Sequence, residues 1–220
     1  MELKSTAKIN IGLHVYNKRQ DGFHNIATIF QEINFFDIIN IREAKNFSCK
    51  TSTGQIKQED NFSTKAFNLI KEAFPHIPNV DIDIQKNIPT NAGLGGGSSN
   101  GTSVLRGLNT FFDLSLNNDE LSEFASKVSS DSTFFVNGGL QLGTKKGEEL
   151  IPILETEIPK HILLVHPNIK ISTKDAFKQL KNHLLNENMD INLSHLLKEL
   201  KNNNFDSKLF KNDFEMYVFE

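Results

Sequence analysis

Pro89-Thr90-Asn91-Ala92-Gly93-Leu94-Gly95-Gly96-Gly97-Ser98-Ser99 is the stretch on which the reading of this chain turns. Upstream, Val80, Ile82 and Ile84 alternate with Asp81, Asp83 and Gln85, the period of a half-buried strand. Downstream, Val104, Leu105, Leu108, Phe111 and Phe112 mark one apolar face of a helix. Glycines lack Cβ and let consecutive backbone N–H groups converge on an anion, while a helix N-terminus adds a partial positive charge. A plain turn needs one or two glycines; here Gly93, Gly95, Gly96 and Gly97 put four in five positions at a helix start, which points to a phosphate cradle.

The cradle is of neither common type. A Walker loop requires Gly-Lys followed by Ser or Thr, and Gly97 is followed by Ser98-Ser99. A dinucleotide fingerprint follows its strand at once and needs a third glycine, which falls here on Ser98. Gly97-Ser98-Ser99-Asn100-Gly101 also matches G-x-S-x-G, with His161 or His166 downstream of Asp131 as conceivable partners, so a serine hydrolase using Ser99 is a rival. In that fold the serine sits on a sharp turn directly after a strand, whereas Ser99 lies well beyond Gln85, so phosphate binding ranks above it.

Working outward, Lys8 to Tyr16 reads as a short strand and Arg19 to Gly22 as a turn. Ile26 to Ile33 and Ile38 to Arg42 read as a strand pair broken at Asp37. Phe62, Ala66, Phe67, Ile70, Ala73 and Phe74 recur at helical spacing until Pro75. Leu121, Phe124, Ala125 and Val128 predict a helix opened by Asn118 and Asp119, and short apolar segments follow at Phe134 to Val136 and Leu140 to Leu142. Near Pro159 the character changes: Ile162 to Val165 reads as a buried strand before His166-Pro167, with helical patterns near Thr173 to Leu180, Leu193 to Leu200 and Leu209 to Val218. That strand has no evident partner in its own region, and an unpaired buried strand leaves backbone groups unsatisfied. The expected domains are residues 1–156 and 157–220.

Composition excludes several classes. The 220 residues are 38% hydrophobic and 23% charged with a net charge of -3, which describes a globular chain, neither disordered nor a basic nucleic-acid binder. The single cysteine, Cys49, cannot form an internal disulfide, which suits a reducing cytoplasm. Met1 to Asn10 has no apolar core, and no stretch approaches the ~20 apolar residues that cross a bilayer, so neither membrane nor export is expected. The 18 Phe, with no Trp and 2 Tyr, make an apolar aromatic core and carry no functional signal.

Gly93-Leu94-Gly95-Gly96-Gly97-Ser98-Ser99, together with Ala7-Lys8-Ile9-Asn10 and Asp21-Gly22-Phe23-His24, resembles the GHMP small-molecule kinases. The likeness continues through Glu59-Asp60-Asn61, Ser130-Asp131 and His166-Pro167 to Phe177, and is nearest to the branch whose substrate is a cytidine diphosphate-linked methylerythritol in non-mevalonate isoprenoid biosynthesis. It implies an α+β, two-domain GHMP kinase fold, with a ribosomal protein S5 domain 2-like N-terminal domain and a ferredoxin-like C-terminal domain. The family's third glycine-rich motif and final strands lie beyond Glu220, so the second domain is expected to be cut short, leaving either an active kinase or a non-catalytic or weakly active nucleotide-binding remnant.

The same resemblance implies transfer of the ATP γ-phosphoryl group to a hydroxyl of the methylerythritol moiety. Pro89, Thr90, Asn91, Ala92, Gly93, Leu94, Gly95, Gly96, Gly97, Ser98 and Ser99 match the loop around the ATP phosphates, and Asn61 and Lys86 match positions near the adenine. Lys8 and Asp131 match the catalytic pair. Phe23, His24 and Phe177 match the cytidine end, and Asn10 and Thr173 the acceptor site. Phosphoryl transfer through a loose transition state asks for positioning and charge neutralisation, which a lysine and a carboxylate beside the acceptor supply. Taken singly, a strand lysine is usually solvated, an aspartate between serines is usually a turn residue, His24 could be a loop histidine, and Phe23 and Phe177 could be core. No His or Cys spacing resembles a metal site, so any Mg²⁺ is expected to arrive with ATP, with no tightly bound prosthetic group. A monomer or weak homodimer is expected.

Departures from the family pattern are Thr6 for proline, Phe23 for tyrosine, and Ser130-Asp131-Ser132-Thr133 for Ala-Asp-Val-Pro. The last suggests that Asp131 is held differently.

Overall fold

A computed structural model of the chain describes residues 1–54, 56–154, 161–167, 180, 189–202, 204 and 210–215. Its elements in order are β1 (Glu2–Lys18), β2 (His24–Ala44), β3 (Ser48–Thr51), a short 3-10 turn (Gln58–Asp60), α1 (Phe62–Ala73), β4 (Asn79–Gln85), α2 (Gly96–Phe111), α3 (Asn118–Val128), α4 (Phe134–Asn137), β5 (Leu140–Thr144), β6 (Glu149–Pro152) and α5 (Met189–Lys201).

The chain forms two compact units, one of residues 1–9 and 32–138, the other of residues 10–31 and 139–220. In the first, β4 lies between β2, antiparallel from Ile38↔Gln85 to Ala44↔Asn79, and β3, parallel from Ser48↔Asp81 to Thr51↔Ile84. The alternation read at Val80 to Gln85 therefore turns Val80, Ile82 and Ile84 to one buried face, joined there by Ile39 and Ile41 of β2. Against that face pack Ala66, Phe67 and Ile70 of α1, Val104, Leu105 and Leu108 of α2, and Leu121, Ala125 and Val128 of α3, the residues that carry the helical periodicity. Asn61 caps α1 by accepting from the Ser63 N–H at 2.9 Å, and α3 opens on a reciprocal cap between Asn117 and Glu120, one residue earlier than expected.

In the second unit β5 pairs antiparallel with β2 from Thr28↔Gly143 to Gln31↔Leu140, and β6 with β5 from Gln141↔Pro152 to Thr144↔Glu149. Tyr16, Ala27, Ile29 and Leu142 form a core with Leu196 and Leu200 of α5, the helix anticipated at Leu193 to Leu200. Leu13, Val15, Ile26 and Leu180 form a second cluster. The units are discontinuous in sequence, so residues 10–31 group with the residues after 139 and not with the rest of the N-terminal segment.

Two expectations are corrected. Asp37 does not interrupt a strand pair: β2 runs through it as 21 residues. Its side chain is fully buried and fully hydrogen-bonded, which removes the usual reason for aspartate to break a strand. Ile162 to Val165 is not a buried strand; residues 161–167 carry no regular structure, and Leu163 and Val165 are 89% and 75% exposed. The patterns at Thr173 to Leu180 and Leu209 to Val218 fall largely outside the described residues. Among those residues, no helix is long and apolar enough to cross a membrane.

Candidate active site

The glycine-rich loop joins β4 to α2 and is anchored at both ends. Ile88 and Leu94 are buried with Ala7, against Ile9, Ile33, Phe35 and Ala92, so the apolar residues of the loop fasten it to β1 and β2. Between them the backbone passes through left-handed conformations at Asn91 (φ 60°), Gly93 (φ 75°) and Gly95 (φ 69°). Gly95 is the N-cap of α2, and no side chain caps the first turn. The leading N–H groups of this 16-residue helix are thus left for an anion, which the helix dipole also favours.

Gly95 has a second reason to be glycine. A Cβ there would stand 2.8 Å from the Phe135 ring and 3.1 Å from Lys8 Cγ, so its absence lets the loop lie directly on the Lys8 stem. The Lys8 N–H also donates to the Leu94 carbonyl at 3.0 Å. Backbone and side chain of Lys8 are both registered against the loop.

From that position Lys8 Nζ reaches Asp131 Oδ2 at 3.5 Å, with the lysine side chain 7% exposed and the aspartate 34%. The lysine is sheltered while the carboxylate opens to solvent, the exposure an incoming hydroxyl requires. Asp131 sits in the turn between α3 and α4, which is tied to α2 by hydroxyls. Ser129 Oγ donates to Ser98 Oγ at 2.8 Å and lies 2.6 Å from Ser132 Oγ, while Thr102 Oγ1 donates to the Ser132 carbonyl at 2.8 Å. The departure from Ala-Asp-Val-Pro is therefore a different fastening: serines hold the turn that carries Asp131. Sequence reasoning flagged the substitution but not its partner, Ser98.

Asn61 is 6% exposed, and its side-chain oxygen serves as the cap of α1. Lys86 is drawn inward, its side chain 4% exposed and paired with Asp37. Ser99 is 1% exposed and shares a 2.8 Å hydrogen bond with Ser5 Oγ, so it lacks the accessible hydroxyl of a nucleophile elbow and the hydrolase reading is set aside.

In the second unit Phe23 is 57% exposed, not core, on a turn shaped by Asp21 Oδ1 accepting the Phe23 N–H at 3.1 Å, with Lys146 Nζ 5.0 Å from the ring centroid. His24 is buried, its Nδ1 3.1 Å from the Tyr16 carbonyl oxygen. Asn10 Nδ2 donates to Thr28 Oγ1 at 2.8 Å. Thr173 and Phe177 lie outside the described residues. Among the described residues, no group of three or more His, Cys, Asp and Glu could hold a metal ion.

Residues 61–140 match the GHMP kinases N terminal domain. The chain is 39% identical over 191 residues to the 4-diphosphocytidyl-2-C-methyl-D-erythritol kinase of Sulfurihydrogenibium sp. (strain YO3AOP1), an alignment covering 87% of this chain and 69% of that one. The chain belongs to the 4-diphosphocytidyl-2-C-methyl-D-erythritol kinase family. The family member of Prochlorococcus marinus (strain AS9601) is 36% identical over 230 aligned positions, covering 99% of this chain and 74% of that one. A crystal structure of 4-(cytidine 5'-diphospho)-2C-methyl-D-erythritol kinase superposes on all of this chain and 77% of its own, with a TM-score of 0.78 at 24% identity. The fold is thus the GHMP kinase fold shared with this family.

Proposed function

We propose that this kinase transfers the γ-phosphoryl group of ATP to the 2-hydroxyl of 4-diphosphocytidyl-2-C-methyl-D-erythritol, a step of isoprenoid precursor biosynthesis. The observation that carries the reading is the Lys8–Asp131 pair, directly beneath a glycine loop whose helix start has no side-chain cap. The relatives' names supply the substrate; the loop and the ion pair supply the chemistry.

The loop N–H groups bind the phosphates, and Asn61 lies toward the adenine. Lys8 neutralises charge on the transferring group. Asp131 accepts the hydrogen bond of the substrate hydroxyl, aiming the oxygen at the γ-phosphorus, and takes the proton as the new P–O bond forms and the bond to ADP breaks. Mg²⁺ carried by the bound ATP would supply further charge neutralisation there. Phe23 and His24 are assigned to the cytidine end and Asn10 to the acceptor; Phe177 and Thr173, outside the described residues, are assigned to the same two ends by the family match alone. The proposed domains are an ATP-binding domain of residues 1–156 and a C-terminal domain of residues 157–220.

The test is ADP release coupled to a spectroscopic readout, with ATP and the cytidyl substrate. Turnover dependent on both supports the reading; ATP binding without turnover would sink it and leave a nucleotide-binding chain.

A further inference from the structure

Asp37 and Lys86 form an ion pair from which water is excluded, Asp37 being 0% and the Lys86 side chain 4% exposed. Burying two charges carries a large desolvation cost, and an apolar pair of similar volume is often as stable or more so, so the pair calls for a reason other than stability. Its partners supply one. Asp37 Oδ1 accepts the backbone N–H groups of Asn87 at 2.7 Å and Ile88 at 2.8 Å, the two residues that lead into the loop. Its Oδ2 accepts from Lys86 Nζ and, at 2.9 Å, from Asn100 Nδ2 in the first turns of α2, where the loop ends.

Asn100 closes the circuit. Its Oδ1 accepts from Lys86 Nζ at 3.0 Å, and its Nδ2 also reaches Ser5 Oγ at 2.9 Å, which lies 2.8 Å from Ser99 Oγ. One carboxylate therefore grips both stems of the loop, and Ser5 ties them to β1 three residues before Lys8. Lys86 Nζ lies 3.4 Å from the point a Cβ on Gly96 would occupy, underneath the loop backbone.

We propose that Asp37, Lys86, Asn100 and Ser5 are positioning residues that set the spacing of the loop stems for phosphate binding, with Lys86 acting through the loop and not on the adenine. The inference rests on the reading of the loop as the ATP-phosphate site. Its signature is a loss of affinity confined to the phosphates: a base contact would spare a ligand without a base, and a stem clamp would not.

The experiment is calorimetric titration of the folded chain with three probes, Mg²⁺-ATP, Mg²⁺-tripolyphosphate and adenosine. The proteins are the wild type, Asp37→Asn, Lys86→Met and Ser5→Ala. Loss of a charge-assisted hydrogen bond predicts that Asp37→Asn and Lys86→Met weaken ATP and tripolyphosphate by the same factor, about tenfold or more, with adenosine unchanged. Ser5→Ala removes one neutral hydroxyl and is expected to weaken both polyphosphates about threefold. Weaker ATP and adenosine with unchanged tripolyphosphate in Lys86→Met would restore Lys86 to the adenine and overturn the proposal, as would variants that match the wild type on every probe. If the charge variants fail to fold, Ser5→Ala decides by the same criterion. A wild type that binds neither polyphosphate overturns the ATP reading itself, which separates that failure from failure of the clamp.

Discussion

Lys8 Nζ stands 3.5 Å from Asp131 Oδ2 across a boundary of solvation, with the cation sheltered and the carboxylate a third exposed. Asp131 can therefore be altered with little cost to the core. Asp131→Asn keeps size and removes the charge, and should lower kcat by about 10²–10⁴-fold with the melting temperature nearly unchanged. Lys8→Ala should lower kcat comparably, with some loss of stability because its stem is buried under Gly95. ADP-release kinetics beside thermal melts check both; near-normal rates in either variant refute the assigned roles.

Gly95 occupies a left-handed conformation with no room for a side chain. Gly95→Ala incurs the left-handed cost of about 1–2 kcal/mol and adds a clash with Phe135. The melting temperature should fall by about 3–8 °C, and the KM for ATP should rise because the loop lifts from Lys8. A variant with wild-type Tm and KM would mean that the loop does not depend on this approach.

The serine fastening of the Asp131 turn is open to a milder test. Ser132→Ala removes a hydroxyl that lies 2.6 Å from Ser129 Oγ, and a hydrogen bond of about 1 kcal/mol predicts about a fivefold fall in kcat. The KM for ATP should change less, since the hydroxyl's contact with the phosphate loop, a donation to the Ser98 carbonyl, is the longer one at 3.4 Å. Steady-state kinetics in ATP and in the alcohol substrate distinguish this outcome from a general loss of structure.

Burial pushes the Cys49 thiol up to about 11, with Asp83 adding to the shift and Thr64 opposing it. At pH 7 only about one molecule in 10⁴ then carries the reactive thiolate. Labelling of the folded protein by an aromatic disulfide reagent should be very slow, rise about tenfold per pH unit up to that value, and become fast on unfolding. Because the folded value exceeds the unfolded one, the stability tied to the neutral thiol is present below the unfolded value and is lost as pH rises toward 11. Rapid stoichiometric labelling at neutral pH would contradict the buried position.

What was legible in the sequence was whatever repeats locally. Helical spacing gave α1 from Phe62, and alternation gave β4 to within a residue. What escaped depends on partners far along the chain. Asp37 reads as a breaker because its propensity is local, whereas its ligands at Lys86 and Asn100 lie 49 and 63 residues away. Ser5, Ser129 and Ser132 are unremarkable polar residues until the fold brings hydroxyls together. Ile162 to Val165 looked buried because apolar runs usually are; its exposure depends on what packs beside it, which no periodicity reveals.

Helix α2 begins without a cap, and that has a thermodynamic consequence for the apoprotein. Most helices carry the stopper for their first turn in their own sequence; on the proposed reading of the loop, the stopper here comes from solution, and only while a nucleotide is bound. The amides of Gly96, Gly97 and Ser98 should therefore exchange with solvent faster than those of the following turn, and slow down when triphosphate is added. Bound ligand at a hundred times its Kd would add about 2.7 kcal/mol to the folded state. On that reading the co-substrate is also the missing piece of the chain's secondary structure.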